Sequence, residues 1–497
     1  MKQLIHSGVM MPKGYEAKGL HILIRGEKVR LTPEQEEMAV AFAKKLRTEY
    51  VEDSMFVKNF FKDFSKALGM EETLDPEEVD FDEVHSSVEH EKQIRLKMSR
   101  DEKKRQAEFR KAQRESNRQR YGFAIVDGQK VEVGNYVVEP PCIFMGRGKH
   151  PLRGRWKEGP KESDITLNLS PDAPRPPGDW REIVWQPDSM WIAKWDDKLR
   201  GKEKYIWLAD TSTVKQRREK EKFDQAKDLE KTIEKVRRHI MSNLKAEDLK
   251  RRKIATVCYL IDALKLRVGD EKDRDETNTV GATTLRSSHI KISPDGLATF
   301  NFLGKDSVRW HKQVRLPVTV AENLEEFIQN SHSLIFNGIR SDTVGQFLSE
   351  AVPNLTAKVF RTYHATKIVK EHLTAEVIPK SAPDYVKQHA ATMANLQAAV
   401  VCNHKRKLPK NWRQSLRRKM ERVRKLKMKK TEKAKEKVEK TKTEIETMKA
   451  TRDYNLRTSL KSYVDPRVYR DWGRKVGYDW KLYYPKTLQR KFSWVDG

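Results

Sequence analysis

Leu456-Arg457-Thr458-Ser459-Leu460-Lys461-Ser462-Tyr463-Val464-Asp465-Pro466-Arg467 is the stretch on which the reading of this chain turns. It sets one tyrosine in a short polar segment. Pro466 keeps that segment from running on as one helix, because proline lacks a backbone donor and disfavours a helical residue before it. Working outward, a strongly basic segment lies just upstream, and further back stand His404, Arg361, Lys305 and Arg267. A phenol beside two guanidiniums, an ammonium and an imidazole is the set that attack on a phosphodiester needs. The phenol is the nucleophile, the cations face a doubly charged transition state, and one acid protonates the leaving oxygen.

Charge supports a polyanionic partner. Lys and Arg total 101 against 72 acids, a net +29 over 497 residues. A chain of that length is expected to hold two to four domains. No apolar run approaches the about 18 residues of a spanning helix, so nucleic acid is favoured over membrane. Cys142, Cys258 and Cys402 are far apart and form no paired motif, which fits a reducing compartment and argues against disulfides or a zinc knuckle. The N-terminus lacks a signal-peptide apolar core, so an intracellular protein is expected.

Thr32-Pro33 predicts a helix start, and the aromatics from Phe56 to Phe64 read as core rather than a base-stacking platform. Asp80-Phe81-Asp82 resembles a magnesium motif, but no partner carboxylate motif accompanies it, and no metal is expected. Ser99-Arg100-Asp101-Glu102 predicts a capping box opening a polar helix to about Arg120. Gly146 and Gly148 flank Arg147 and let backbone approach a phosphate, or simply make a turn. That loop lacks the G-K-[ST] ending of a P-loop and no other stretch supplies one, so no nucleotide cofactor is expected. Residues 215–245 read as a charged helix pair, 254–264 as an apolar helix, and 300–310 as a hairpin with Lys305 at its turn. From Lys410 to Lys449 there are 17 basic residues and six acids with a thin apolar seam, which suits an antiparallel helical hairpin turning near Lys429-Lys430-Thr431.

Any one of 14 tyrosines or 13 histidines is usually structural; the contexts together carry the signal. The segments around Arg267 (Leu264 to Lys272), Lys305 (Phe302 to Ser307), Arg361 (Leu355 to Tyr363), His404 (Val401 to Arg406) and Tyr463 resemble, in order, the five catalytic segments of the eukaryotic-type class IB DNA topoisomerases. Asn59 to Asp63, Glu139-Pro140-Pro141 and Gly146-Arg147-Gly148 resemble that family's clamp lobe, and the likeness covers nearly the whole chain. The resemblance implies that Tyr463 attacks the phosphorus to give a 3′-phosphotyrosyl bond. Arg267, Arg361 and His404 would bind the non-bridging oxygens, and Lys305 would protonate the leaving 5′ oxygen. It assigns DNA contacts to Arg147, Lys149, Lys204, Asp306, Lys358 and Ser462. Double-stranded DNA would be the partner of a monomer, with no metal and no other cofactor.

The implied architecture is α+β and multidomain. Residues 1–210 would form a mixed α/β cap, 211–405 a mostly helical catalytic lobe like that of the tyrosine recombinases, 406–455 the basic helical hairpin linker, and 456–497 the C-terminal segment. The two lobes would make a clamp around DNA. Ser462 replaces the family's usual asparagine, Met145 an arginine, and His364 a commoner asparagine. The compact form resembles the archaeal members, which implies a cytoplasmic or nucleoid location, against a nuclear one for eukaryotic members. A tyrosine recombinase shares the chemistry but generally carries His-x-x-Arg at the second arginine, where this chain has Lys358-x-x-Arg361.

Overall fold

The computed structural model describes residues 1–146, 148, 150–270, 279–331, 333–429 and 431–496, and gives the backbone but not the side chain of Asp306. The expectations on Arg147, Lys149 and the Asp306 side chain therefore lie outside the described residues. Mixed helix and strand, the chain divides into two compact units, 1–215 and 216–497.

In the first unit, helix Pro33–Ala43 opens as its sequence predicts. Thr32 caps it, Pro33 holds the first position, and Gln35 completes a capping box. Helix Ser54–Ala67 buries Phe56, Phe60, Phe61 and Phe64, and Phe60 stacks on Phe42 with centroids 4.2 Å apart. These rings are core. Asp80 spends its carboxylate locally, accepting the Asp82 amide at 2.6 Å. Helix Arg100–Tyr121, capped by Ser99, buries none of its residues. Phe123–Val126 and Gln129–Glu132 pair across Asp127-Gly128, both at positive φ (49° and 77°), a turn that matches strand twist. A four-stranded sheet orders Glu182–Val184, Thr166–Asn168, Trp191–Asp197 and Lys202–Trp207.

The second unit carries a three-stranded antiparallel sheet, Ile290–Ile292, Leu297–Gly304 and Val308–Arg315. Helix Leu249–Leu264 buries most of its length, including Ile254, Leu260 and Ile261. The expected helix pair over 215–245 is a single helix, Thr213–Asn243. No glycine or proline punctuates it, and Phe223, Ala226, Leu229, Ile233, Val236 and Ile240 keep one buried stripe at spacings of three and four. Helices Trp412–Lys427 and Glu432–Ala450 pack on each other, with Lys419 paired to Glu444. The first buries nothing. The second buries Ala434, Val438 and Thr441 and rests on helix Asp384–Val401, where His389 Nδ1 lies 2.6 Å from Thr447 Oγ1. Both helices and the C-terminal segment belong to the same compact unit as 216–405. Among the described residues, no helix is long and apolar enough to cross a membrane.

Candidate active site

Tyr463 stands at a break between two helices. Helix Leu456–Ser462 ends on it, and its amide donates back to the Ser459 carbonyl at 2.9 Å. Two residues on, Asp465 accepts the Arg467 amide at 2.9 Å, and Pro466 heads the next helix, Pro466–Val476. Proline thus separates the two helices by starting the second. The turn between them is fastened from distant parts of the chain. Thr366 Oγ1 donates to the Tyr463 carbonyl (3.2 Å) and accepts the Asp465 amide (3.1 Å). Lys222 Nζ donates to the Ser462 carbonyl at 3.1 Å and Lys491 Nζ to the Lys461 carbonyl at 3.0 Å. Both ammoniums pair with Glu219. Cations belong at this end of a helix, where carbonyls lack intrahelical partners.

Arg361, in helix Ala357–Ala375, is the hub. Only 6% exposed, it donates from Nη1 to the Lys265 carbonyl (2.6 Å) and from Nη2 to the Cys402 carbonyl (2.9 Å). One planar fork therefore fixes both the segment leading to Arg267 and the one leading to His404. Its Nε is buried without a partner among the described residues. Beyond Lys265, which is left-handed at φ 59°, the Arg267 carbonyl accepts the Ala282 amide at 2.9 Å. Gly269 and Gly281 meet backbone to backbone; a Cβ on Gly281 would lie 2.4 Å from Gly269 Cα, so neither tolerates a side chain.

Lys305 opens the tight turn Lys305–Ser307 between strands Leu297–Gly304 and Val308–Arg315, as its hairpin context predicts. Asn403 ties that hairpin to the His404 segment by donating to the Arg309 carbonyl at 3.1 Å.

The five segments converge. The Arg361 and Arg267 guanidinium carbons lie 5.1 and 5.8 Å from the Tyr463 ring centroid, and the His404 ring centroid is 5.1 Å away. Arg267, Lys305, Lys358, Arg361 and Tyr463 line a cavity of about 280 Å³. A second, of about 140 Å³, is lined by Arg267, Lys305, Arg361, His404 and Thr458. No carboxylate lines either among the described residues. Burial, and then the two arginines, push His404 down to about 3, so its imidazole is neutral at physiological pH. Burial and Arg361 lower Arg267 as well, while its hydrogen bond to Tyr463 opposes them. Converging donors with no facing acid make a seat for a tetrahedral oxyanion beside a phenol.

Of the remaining sequence-derived residues, Lys358 is exposed at the first cavity and Ser462 is half-buried beside Tyr463. Lys204 belongs to the other unit, 4.0 Å from Glu139, and burial lowers its pKa. Ser459, Thr366, Lys222, Lys491 and Glu219 were not singled out by the sequence. Ser459 alone carried a signal, one helical turn before Tyr463. His364 is packed away from the cavities' linings, its Nε2 2.6 Å from Asp262 Oδ1.

The family profile for the eukaryotic DNA topoisomerase I catalytic core matches residues 211–442, that for its DNA binding fragment 1–208, and a C-terminal topoisomerase domain 435–497. DNA topoisomerase 1 beta of Arabidopsis thaliana is 32% identical, across 99% of this chain and 58% of that protein. The Drosophila melanogaster DNA topoisomerase 1 is 31% identical, across 99% and 54%. For the Homo sapiens DNA topoisomerase 1 the figures are 31%, 99% and 70%. The chain thus spans less than two thirds of the plant and insect relatives and more than two thirds of the human one. With profiles matching from the first residue to the last and a relative covered over most of its length, the chain belongs to the eukaryotic DNA topoisomerase I family.

Proposed function

We propose that the protein is a type IB DNA topoisomerase that relaxes positive and negative supercoils by transient single-strand cleavage. The Tyr463 oxygen forms a bond to phosphorus as the bond to the 5′ oxygen breaks, leaving a 3′-phosphotyrosyl ester and a 5′-hydroxyl. Lys305 gives its proton to the departing oxygen, and Arg267, Arg361 and His404 donate to the non-bridging oxygens. Rotation of the free strand is followed by the reverse attack of the 5′-hydroxyl. The ester conserves the phosphodiester energy, so the cycle is closed without ATP, and the cations that stabilise the transition state are side chains, so it needs no metal. Arg147, Lys149, Lys204, Asp306, Lys358 and Ser462 contact double-stranded DNA on this reading, and one chain suffices.

The observation that carries the reading is the phenol of Tyr463 beside Arg267, Arg361 and His404, with a buried Arg361 Nε that has no partner among the described residues. A buried charged donor left unpaired is costly, and a phosphate oxygen would satisfy it. The test is relaxation of supercoiled plasmid without ATP and with EDTA. Wild type is expected to relax both signs, and Tyr463→Phe to bind DNA but form no covalent adduct. Relaxation by Tyr463→Phe sinks the assignment.

A further inference from the structure

We propose that Ser459 is a positioning residue for cleavage: its hydroxyl holds the His404 ring so that Nε2 faces the phosphate. The inference rests on the transesterase reading and adds to it a group that touches neither phosphate nor nucleophile oxygen.

Ser459 is fully buried, and its Oγ lies 2.9 Å from His404 Nδ1, its one hydrogen-bond partner among the described residues. His404 is 8% exposed and neutral, so a single ring nitrogen carries the proton. A hydroxyl can donate to a bare Nδ1 or accept from a protonated one, so the bond holds the ring in either tautomer. The ring's other nitrogen, Nε2, lies 3.4 Å from Arg361 Nη2, which donates to it. The two groups therefore stand side by side at the place where an anionic oxygen would be bound, and the Ser459 bond fixes the ring edge turned toward it.

The same residue reaches the nucleophile through its backbone. The Ser459 carbonyl accepts the amides of Tyr463 (2.9 Å) and Val464 (3.0 Å), closing the turn from which the phenol projects. Ser459 therefore links the position of the tyrosine to the orientation of the imidazole. Its side chain can be altered without removing the backbone bonds.

The experiment is a double-mutant cycle on single-turnover cleavage of a nicked suicide duplex. DNA affinity is measured in parallel by fluorescence anisotropy, and folding by thermal melting. Ser459→Ala is expected to slow cleavage about tenfold at saturating DNA, the worth of one hydrogen bond. DNA affinity should stay within about twofold, since the group acts only on the chemical step. Ser459→Thr keeps the hydroxyl and is expected to recover most of the rate. In a His404→Gln background the ring that Ser459 holds is gone, so adding Ser459→Ala should change nothing further. If Ser459→Ala melts early, Ser459→Cys supplies an isosteric, weaker donor for the same comparison. Equal slowing in both backgrounds, or cleavage by Ser459→Ala at the wild-type rate, overturns the proposal. Absence of any adduct from wild type would instead overturn the transesterase reading beneath it.

Discussion

His404 shows how one buried residue ties chemistry to stability. In the folded chain it takes a proton only near pH 3, against an ordinary value of 6.5. Between these values the unfolded chain binds a proton that the folded chain refuses, so the contribution is complete above 6.5 and drains away as pH falls. The melting temperature is expected to drop from pH 7 to pH 5, and His404→Gln to flatten that drop; parallel curves for the two proteins would refute it. Arg361 gives a second residue-scale prediction. Its fork satisfies the carbonyls of Lys265 and Cys402, so Arg361→Ala should cost about 1–3 kcal/mol of stability as well as abolishing efficient cleavage. Calorimetry on the DNA-free protein checks it, and an unchanged melt would show that those carbonyls find other donors. The residues that touch the cavities were legible because each lies in a short, distinctive context. Lys222, Lys491 and Thr366 were not, because they act on Tyr463 or its neighbours from other parts of the fold, Lys222 across 240 positions. Nothing local to a lysine announces which distant carbonyl it will reach.

Elements were readable where they carried punctuation. Thr32-Pro33 and Ser99 to Glu102 each specify a backbone event, and each occurs as written. The stretch 213–243 reads as two helices in sequence because its charge hides the stripe from Phe223 to Ile240 that packs it as one. The basic hairpin was anticipated by charge and a thin apolar seam. What the sequence did not show is its asymmetry: the second helix packs on helix Asp384–Val401, with Thr447 beside His389, while the first buries no residue. Helix Trp412–Lys427 has eight basic residues against Glu421 and buries none. Replacing Arg417, Arg418, Arg422 and Arg424 with glutamine should therefore leave folding intact and lower the log–log salt slope of DNA binding by about 0.9 for each phosphate that is no longer neutralised. An unchanged slope would mean that this helix does not meet DNA. Cleavage of a short duplex should persist, since none of the five converging residues lies there.

For the whole molecule, the resemblance implied two lobes divided after residue 210, whereas the packing of 406–497 into one unit with 216–405 shows only in three dimensions. The cores of the second unit draw only on residues from Phe223 onward. A fragment of residues 209–497 is accordingly expected to melt cooperatively and to form the covalent adduct on a suicide duplex, with weaker DNA affinity than the full chain. A non-cooperative melt, or loss of the adduct from a folded fragment, would contradict this. The two lysines beneath the tyrosine turn also have a consequence in time. Lys491, 5% exposed, holds the Lys461 carbonyl, and it follows Tyr463 in synthesis order. A chain that stops short of Lys491 would hold Arg267, Arg361, His404 and Tyr463 but lack the strut beneath the tyrosine turn, and on the proposed mechanism it is expected to be unarmed. Stalled nascent chains ending before and after that residue would differ in their capacity to capture a labelled duplex.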